Sequence, residues 1–210
     1  ESLLYYILQN PRRARRLYWD VVPKCVDDYL EALRRFHQVD PDDRPEEDIW
    51  HIFGPNTAAP RYDAAINFSM VNNLIAALGS DSFELLMDYL ERYDEQALTY
   101  KTVVRDLVEK GLNYYRDFVL PNKEFRTATS DERDLFGSMH DHLVEVSAED
   151  EEKLQAIPFE VARRSGVEPK ELFRSFYEVM LGQKRGPRFG SFVKLVGRDR
   201  VLTMLAEKSA

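Results

Sequence analysis

TSDERDLFGSMHDHLVEVSAEDEEKLQAIPFEVARRSGVEPKELFRSFYEVMLG, residues 129–182, decides the fold class. Thr129 and Glu132 have the spacing of a capping box, in which the threonine oxygen accepts from the backbone N–H three residues on and the glutamate reaches back. A helix over 130–146 follows from it. Ser147 is placed to cap a second helix, acidic in its first turn through Glu149, Asp150, Glu151 and Glu152 as the helix dipole favours, and Gly166 ends it. Pro158 falls inside that span and is expected to kink or divide it. Glu168-Pro169 opens a third helix, with Leu172, Phe173, Phe176, Tyr177 and Met180 on one apolar face up to Leu181-Gly182. Nothing in the stretch alternates with the period of two that a half-buried strand requires.

The same periodicity extends upstream. Phe68, Val71, Leu74, Ile75 and Leu78 form a stripe closed by Gly79, and Ser80 or Asp81 can cap the next helix, which carries Phe83, Leu86, Met87 and Leu90. These two read as an antiparallel pair. A further helix over about 99–119 stops at Pro121, with 122–129 as a loop. Near the start, Leu3, Leu4, Ile7 and Leu8 make a short stripe. Asn10 and Pro11 then suit the cap and first position of a helix through Ala14, Leu17, Tyr18, Val21 and Val22. Pro23 begins another, with Val26, Tyr29, Leu30 and Leu33 facing a core. Residues 37–61 hold Pro41, Pro45, Pro55 and Pro60 among acidic residues, which marks a linker or crossover; the apolar cluster Ile49-Trp50-His51-Ile52-Phe53 is expected to anchor it. The last segment, from Phe189 to Leu205, reads as a loop followed by one or two short helices. The fold class is all-α.

At 44% hydrophobic residues, the 210-residue chain has material for a large core. Its apolar runs are a few residues long, far short of the roughly 20 that cross a bilayer, so no membrane partner is expected. The first residues lack the basic region and cleavage site of a signal peptide, and the single Cys25 builds no disulfide framework. A cytoplasmic setting is the expectation. The start on Glu1 rather than Met, straight into an amphipathic pattern, implies a piece of a longer chain. Net charge is −8, but it is unevenly spread. Residues 1–24 sum to +3 and residues 163–200 to +6, leaving −17 for the rest. Two basic islands in an acidic body fit two polyanion contacts, and solvated helix faces are the alternative reading.

Catalytic chemistry is hard to place on this chain. No glycine-rich phosphate loop occurs. His140 and His142 lie about 200° apart around a helix and do not share a metal easily, so no metal site is expected. Cys25 has no base near it in sequence, and the adjacent pairs Asp27-Asp28 and Asp42-Asp43 diverge by about 100° rather than converging on one atom.

The segment Leu181-Gly182-Gln183-Lys184-Arg185-Gly186-Pro187-Arg188-Phe189-Gly190-Ser191-Phe192-Val193-Lys194-Leu195-Val196-Gly197, running on into Arg198-Asp199-Arg200-Val201-Leu202, resembles the end of the anticodon-binding domain of class I lysyl-tRNA synthetases. Related wording occurs in glutamyl-tRNA synthetases. Asn10-Pro11-Arg12-Arg13-Ala14-Arg15-Arg16-Leu17-Tyr18-Trp19-Asp20, continuing to Leu30, resembles the segment that follows the signature lysine loop of the lysyl enzymes. Ile157-Pro158-Phe159-Glu160-Val161-Ala162 and Glu168-Pro169-Lys170-Glu171-Leu172-Phe173 are similar to the same family.

The resemblance implies a stem-contact-like helical region with its crossover over residues 1–58 and an α-helix cage that accepts the anticodon over 59–210. It implies lysine tRNA as partner and no DNA. Lysine–tRNA ligation, with its ATP and Mg, would belong to a catalytic domain elsewhere in the parent chain: neither the histidine-rich signature nor the lysine loop is present. No catalytic residue and no cofactor is therefore assigned to this chain. Unstacked RNA bases are read by aromatic stacking, guanidinium planes and edge hydrogen bonds, and Lys184, Arg185, Arg188, Phe189 and Lys194 supply those chemistries around one Gly-Pro turn. Phe189 and Phe192 could equally plug the core. Arg12, Arg13, Arg15 and Arg16 are the candidates for phosphate contacts. The corresponding region of a glutamyl-tRNA synthetase, or a non-enzymatic helical scaffold for a protein partner, are the competing readings.

Overall fold

The computed structural model describes residues 1–12, 14, 17–43, 52, 53 and 58–209. Among these, eleven α-helices and no strand are present. They are α1 (Ser2–Leu8), α2 (Val22–Gln38), α3 (Phe68–Leu78), α4 (Phe83–Tyr93), α5 (Gln96–Thr99), α6 (Lys101–Tyr114), α7 (Ser130–Glu145), α8 (Glu151–Ser165), α9 (Pro169–Leu181), α10 (Phe189–Val196) and α11 (Arg198–Ser209). The all-α reading holds.

The capping box is formed: Thr129 Oγ1 accepts from the Glu132 N–H at 3.3 Å, and Glu132 Oε2 accepts from the Thr129 N–H at 2.9 Å. Two other caps differ from the sequence reading. Asp150, not Ser147, caps α8, and Ser82, not Ser80 or Asp81, caps α4. In both places the true cap lies one to three residues nearer the first buried side chain, while Ser147 and Ser80 close preceding turns by accepting from Glu149 and Ser82 N–H groups. α8 runs through Pro158 undivided. α3, α8 and α9 each end at a left-handed glycine: Gly79, Gly166 and Gly182.

Among the described residues, the helix expected from Pro11 to Val22 is absent. Pro11 and Arg12 make a turn, Ala14, Leu17 and Tyr18 are non-helical, and one 3-10 turn covers Trp19–Val21. Helices this short gain their stability from a buried face, and here Leu17, Tyr18 and Trp19 are exposed. Arginines three and four apart would also repel along the helix. Arg13, Arg15 and Arg16, and Ile49, Trp50 and His51 of the crossover cluster, lie outside the described residues; Ile52 and Phe53 pack at the edge of the core.

α3 and α4, expected as a pair, both pack on α6, and the contact between them is slight. A second group, α7, α8, α9 and α11, surrounds Phe136, Leu143, Leu154, Leu172 and Phe176. α10 joins the two groups by packing on α8, α3 and α4. It is buried nearly all round, with Phe189, Phe192, Val193, Leu195 and Val196 inside, which is why the chain is helical from Phe189 rather than looped. One apolar core runs from Tyr29 and Leu33 of α2 through Tyr62 and Ile66 to Leu205. Among the described residues no helix is long and apolar enough to cross a membrane.

Candidate RNA-binding groove

Between α9 and α10 the chain makes the turn 182–188, and three contacts hold it. Gly182 adopts a left-handed φ of 65°, and the Gln183 N–H donates to the Tyr177 carbonyl at 3.2 Å, which ends α9 and reverses the chain. Gly186 then packs against the Tyr177 ring, where an added Cβ would overlap Cε1 and Cδ1. The Tyr177 hydroxyl donates to the Pro187 carbonyl, and burial raises its pKa above the usual phenol range. Beyond the turn, the Gly190 N–H donates to Gln155 Oε1 at 3.1 Å and Ser191 Oγ to Glu151 Oε1 at 2.6 Å, which fastens the start of α10 to α8.

The pinned turn leaves Lys184, Arg185 and Arg188 exposed, and none of the three forms an ion pair with a described residue. They line one wall of an open groove of about 1290 Å³. The opposite wall is the 3-10 turn and the start of α2, with Asp20, Lys24, Asp27 and Asp28. Its floor is the polar face of α3: Asn67, Ser69, Asn72 and Asn73. Gln183 Nε2 donates to Asn73 Oδ1 at 3.3 Å and so ties the turn to that floor. Asn72 Nδ2 donates to the Phe68 carbonyl, while its Oδ1 is buried with no partner among the described residues.

Two of the three acids opposite are already engaged. Asp27 Oδ1 accepts from the Phe68 N–H at 2.8 Å, capping α3 from another helix; burial raises its pKa, and hydrogen bonds from Ser69 and Phe68 hold it partly down. Asp28 is paired with Lys24 at 2.5 Å. The groove therefore presents free cations on one wall and, on the other, an ion-paired Asp28, a hydrogen-bonded Asp27 and Asp20, with amide groups between. That is a surface for an anionic chain bearing hydrogen-bonding edges.

Of the residues singled out from the sequence, Lys184, Arg185 and Arg188 come together here. Phe189 does not: its ring is wholly buried, edge-on to Phe176 at 5.5 Å between centroids, and offers no face to a base. Lys194 is not among the groove's lining residues, and its amine lies 3.7 Å from Glu151 Oε2. Arg12 is exposed and lies outside the groove lining, while Arg13, Arg15 and Arg16 are not described. The sequence reading missed the floor. Ser69, Asn72 and Asn73 fall at i, i+3 and i+4 on the polar side of the α3 stripe, the spacing of one helix face, and that was the available signal. It missed Lys123 and Phe125 as well, which lie in what read as a plain loop. Among the described residues no cluster of three or more His, Cys, Asp or Glu is arranged to hold a metal ion.

Fold and groove define an all-helical module with an exposed cationic turn above a polar cleft. No family model matches the chain. Curated relatives do. It is 32% identical over 98% of its length to the lysine–tRNA ligase of Roseobacter denitrificans, and 28% and 29% identical over 99% to those of Rickettsia prowazekii and Rickettsia bellii. The chain is thus a homologue of part of the lysine–tRNA ligases, spanning 39% to 40% of the length of these relatives.

Proposed function

We propose that this chain is the tRNA-binding helical part of a class I lysine–tRNA ligase and that its cationic turn receives the anticodon loop. The observation that carries this is the turn itself. Tyr177 and Asn73 hold it in place while Lys184, Arg185 and Arg188 stay free of protein partners among the described residues. Phosphate contacts of this kind fix the register of an RNA, and the amide-lined floor is suited to reading base edges. In this proposal residues 1–58 contact the tRNA stem, with Arg12, Arg13, Arg15 and Arg16 as the phosphate-contacting candidates, and 59–210 form the anticodon cage. Ligation, with ATP and Mg, belongs to the remainder of the ligase.

The test is a gel-shift titration of lysine tRNA against the parent and an Arg185→Glu/Arg188→Glu variant. Loss of the shift, and a salt slope reduced by about two in the residual binding, is the expected result. Unchanged binding would remove the turn from the interface. A preference for a glutamate anticodon over a lysine anticodon in competing stem-loops would overturn the lysine assignment.

A further inference from the structure

Lys184 and Gln183 line two grooves, the second of about 850 Å³. Its walls include Phe118, Asn122, Lys123, Phe125 and Arg174. Phe125 is 60% exposed. A lone exposed phenylalanine is ordinary, but this one is built in. One face of its ring lies on Gly182, where a Cβ would stand 3.2 Å from Cε2 and Cζ and 3.3 Å from Cδ1. The loop that carries it is clamped on both sides. The Glu124 N–H donates to the Gly182 carbonyl at 3.4 Å. Arg126 binds both oxygens of Glu132 at 2.7 Å and Glu178 Oε2 at 2.8 Å.

Cations frame the ring. Lys123 Nζ lies 5.0 Å from the Phe125 centroid and 4.9 Å from that of Tyr115. Lys184 lines the same groove, as does Arg174, which is paired with Glu178 Oε1 at 2.8 Å. A backed aromatic face among cations, beside a surface suited to phosphates, has the composition of single-strand binding sites, in which bases stack on rings and amines follow the backbone.

We infer that Phe125 is the stacking platform for one unpaired base of a bound RNA loop, with Lys123 and Lys184 taking the phosphates on either side of it. The inference rests on the RNA-binding reading above and deepens it by naming a base subsite. On binding, the base covers the outer face of the ring and the Lys123 amine moves from the ring to a phosphate. Burial has pushed that amine down to about 8, and an anion beside it would favour its charged form again.

The experiment uses anticodon stem-loop hairpins of lysine tRNA in which each loop nucleotide in turn is abasic, bound to the parent, Phe125→Leu and Phe125→Trp proteins. One abasic position should weaken the parent by roughly 5- to 150-fold, the range for loss of a base–aromatic stack. The same position should cost Phe125→Leu almost nothing further, and Phe125→Trp should behave like the parent. A melting curve for Phe125→Leu that overlays the parent's excludes unfolding as the cause. If the parent binds the hairpins and every abasic position costs the leucine variant as much as the parent, the stacking site is overturned and the RNA-binding reading stands. If the parent binds no hairpin, that reading fails and the subsite fails with it.

Discussion

Glu132→Gln is the perturbation whose size the structure fixes best. Glu132 is mostly buried at the start of α7, accepts from both Arg126 terminal nitrogens at 2.7 Å, and caps Thr129. Glutamine keeps the shape and the capping acceptor but loses the charge. The hydrogen bond from Arg126 is the largest influence holding the carboxyl down, to about 2 from its ordinary 4.5. Taken whole, that shift corresponds to about 3.4 kcal/mol. Arg126 is about a third exposed, so water screens the pair and about 1–2 kcal/mol is the working figure. For a chain of this size that is a fall in Tm of about 2–8 °C.

The sign follows from linkage. A carboxyl with a depressed folded pKa contributes stability that is fully present above about 4.5 and is lost as pH falls through about 2. Denaturant unfolding of the parent and the variant at pH 7 and pH 3 should therefore give a difference that shrinks to under half at the lower pH. An equal difference at both values would show that the effect is steric, and would refute the ion-pair account of how the Phe125 loop is held.

Gly186→Ala should lower Tm by about 2–12 °C, because its Cβ overlaps the Tyr177 ring and overpacking of this kind costs about 1–3 kcal/mol. The cost should largely vanish in a Tyr177→Leu background, and a thermal-melt double-mutant cycle that is additive would contradict the contact. Phe189→Ala should cost about 3–5 kcal/mol, as should Phe192→Ala, since both rings are fully buried. Selective loss of RNA affinity in Phe189→Ala with an unaltered melting curve would restore Phe189 to the binding surface.

The helices of residues 68–181 were legible because their signals are local: a capping box, left-handed glycines and apolar stripes at helical spacing. The stretch that opens at Asn10-Pro11 was not, since Leu17 and Tyr18 have helical spacing but are exposed. Lys184, Arg185 and Arg188 were legible as a group because a Gly-Pro turn keeps neighbours together. Phe189 was ambiguous, because one aromatic can stack on a base or fill a core, and only the position of α10 between α8, α3 and α4 decides between them. The floor of the groove and Phe125 depend on packing between segments 50 to 110 residues apart, such as Arg126 with Glu178 and Asn73 with Gln183. Spacing along a chain carries no record of such contacts.

The most direct test of RNA reading by this chain is a salt-dependent titration with lysine tRNA, glutamate tRNA and a lysine tRNA carrying an altered anticodon. The account predicts that lysine tRNA binds most tightly, that the altered anticodon abolishes the preference, and that affinity falls steeply with salt. Equal binding of all three, or none, would contradict the claim that this chain reads the anticodon.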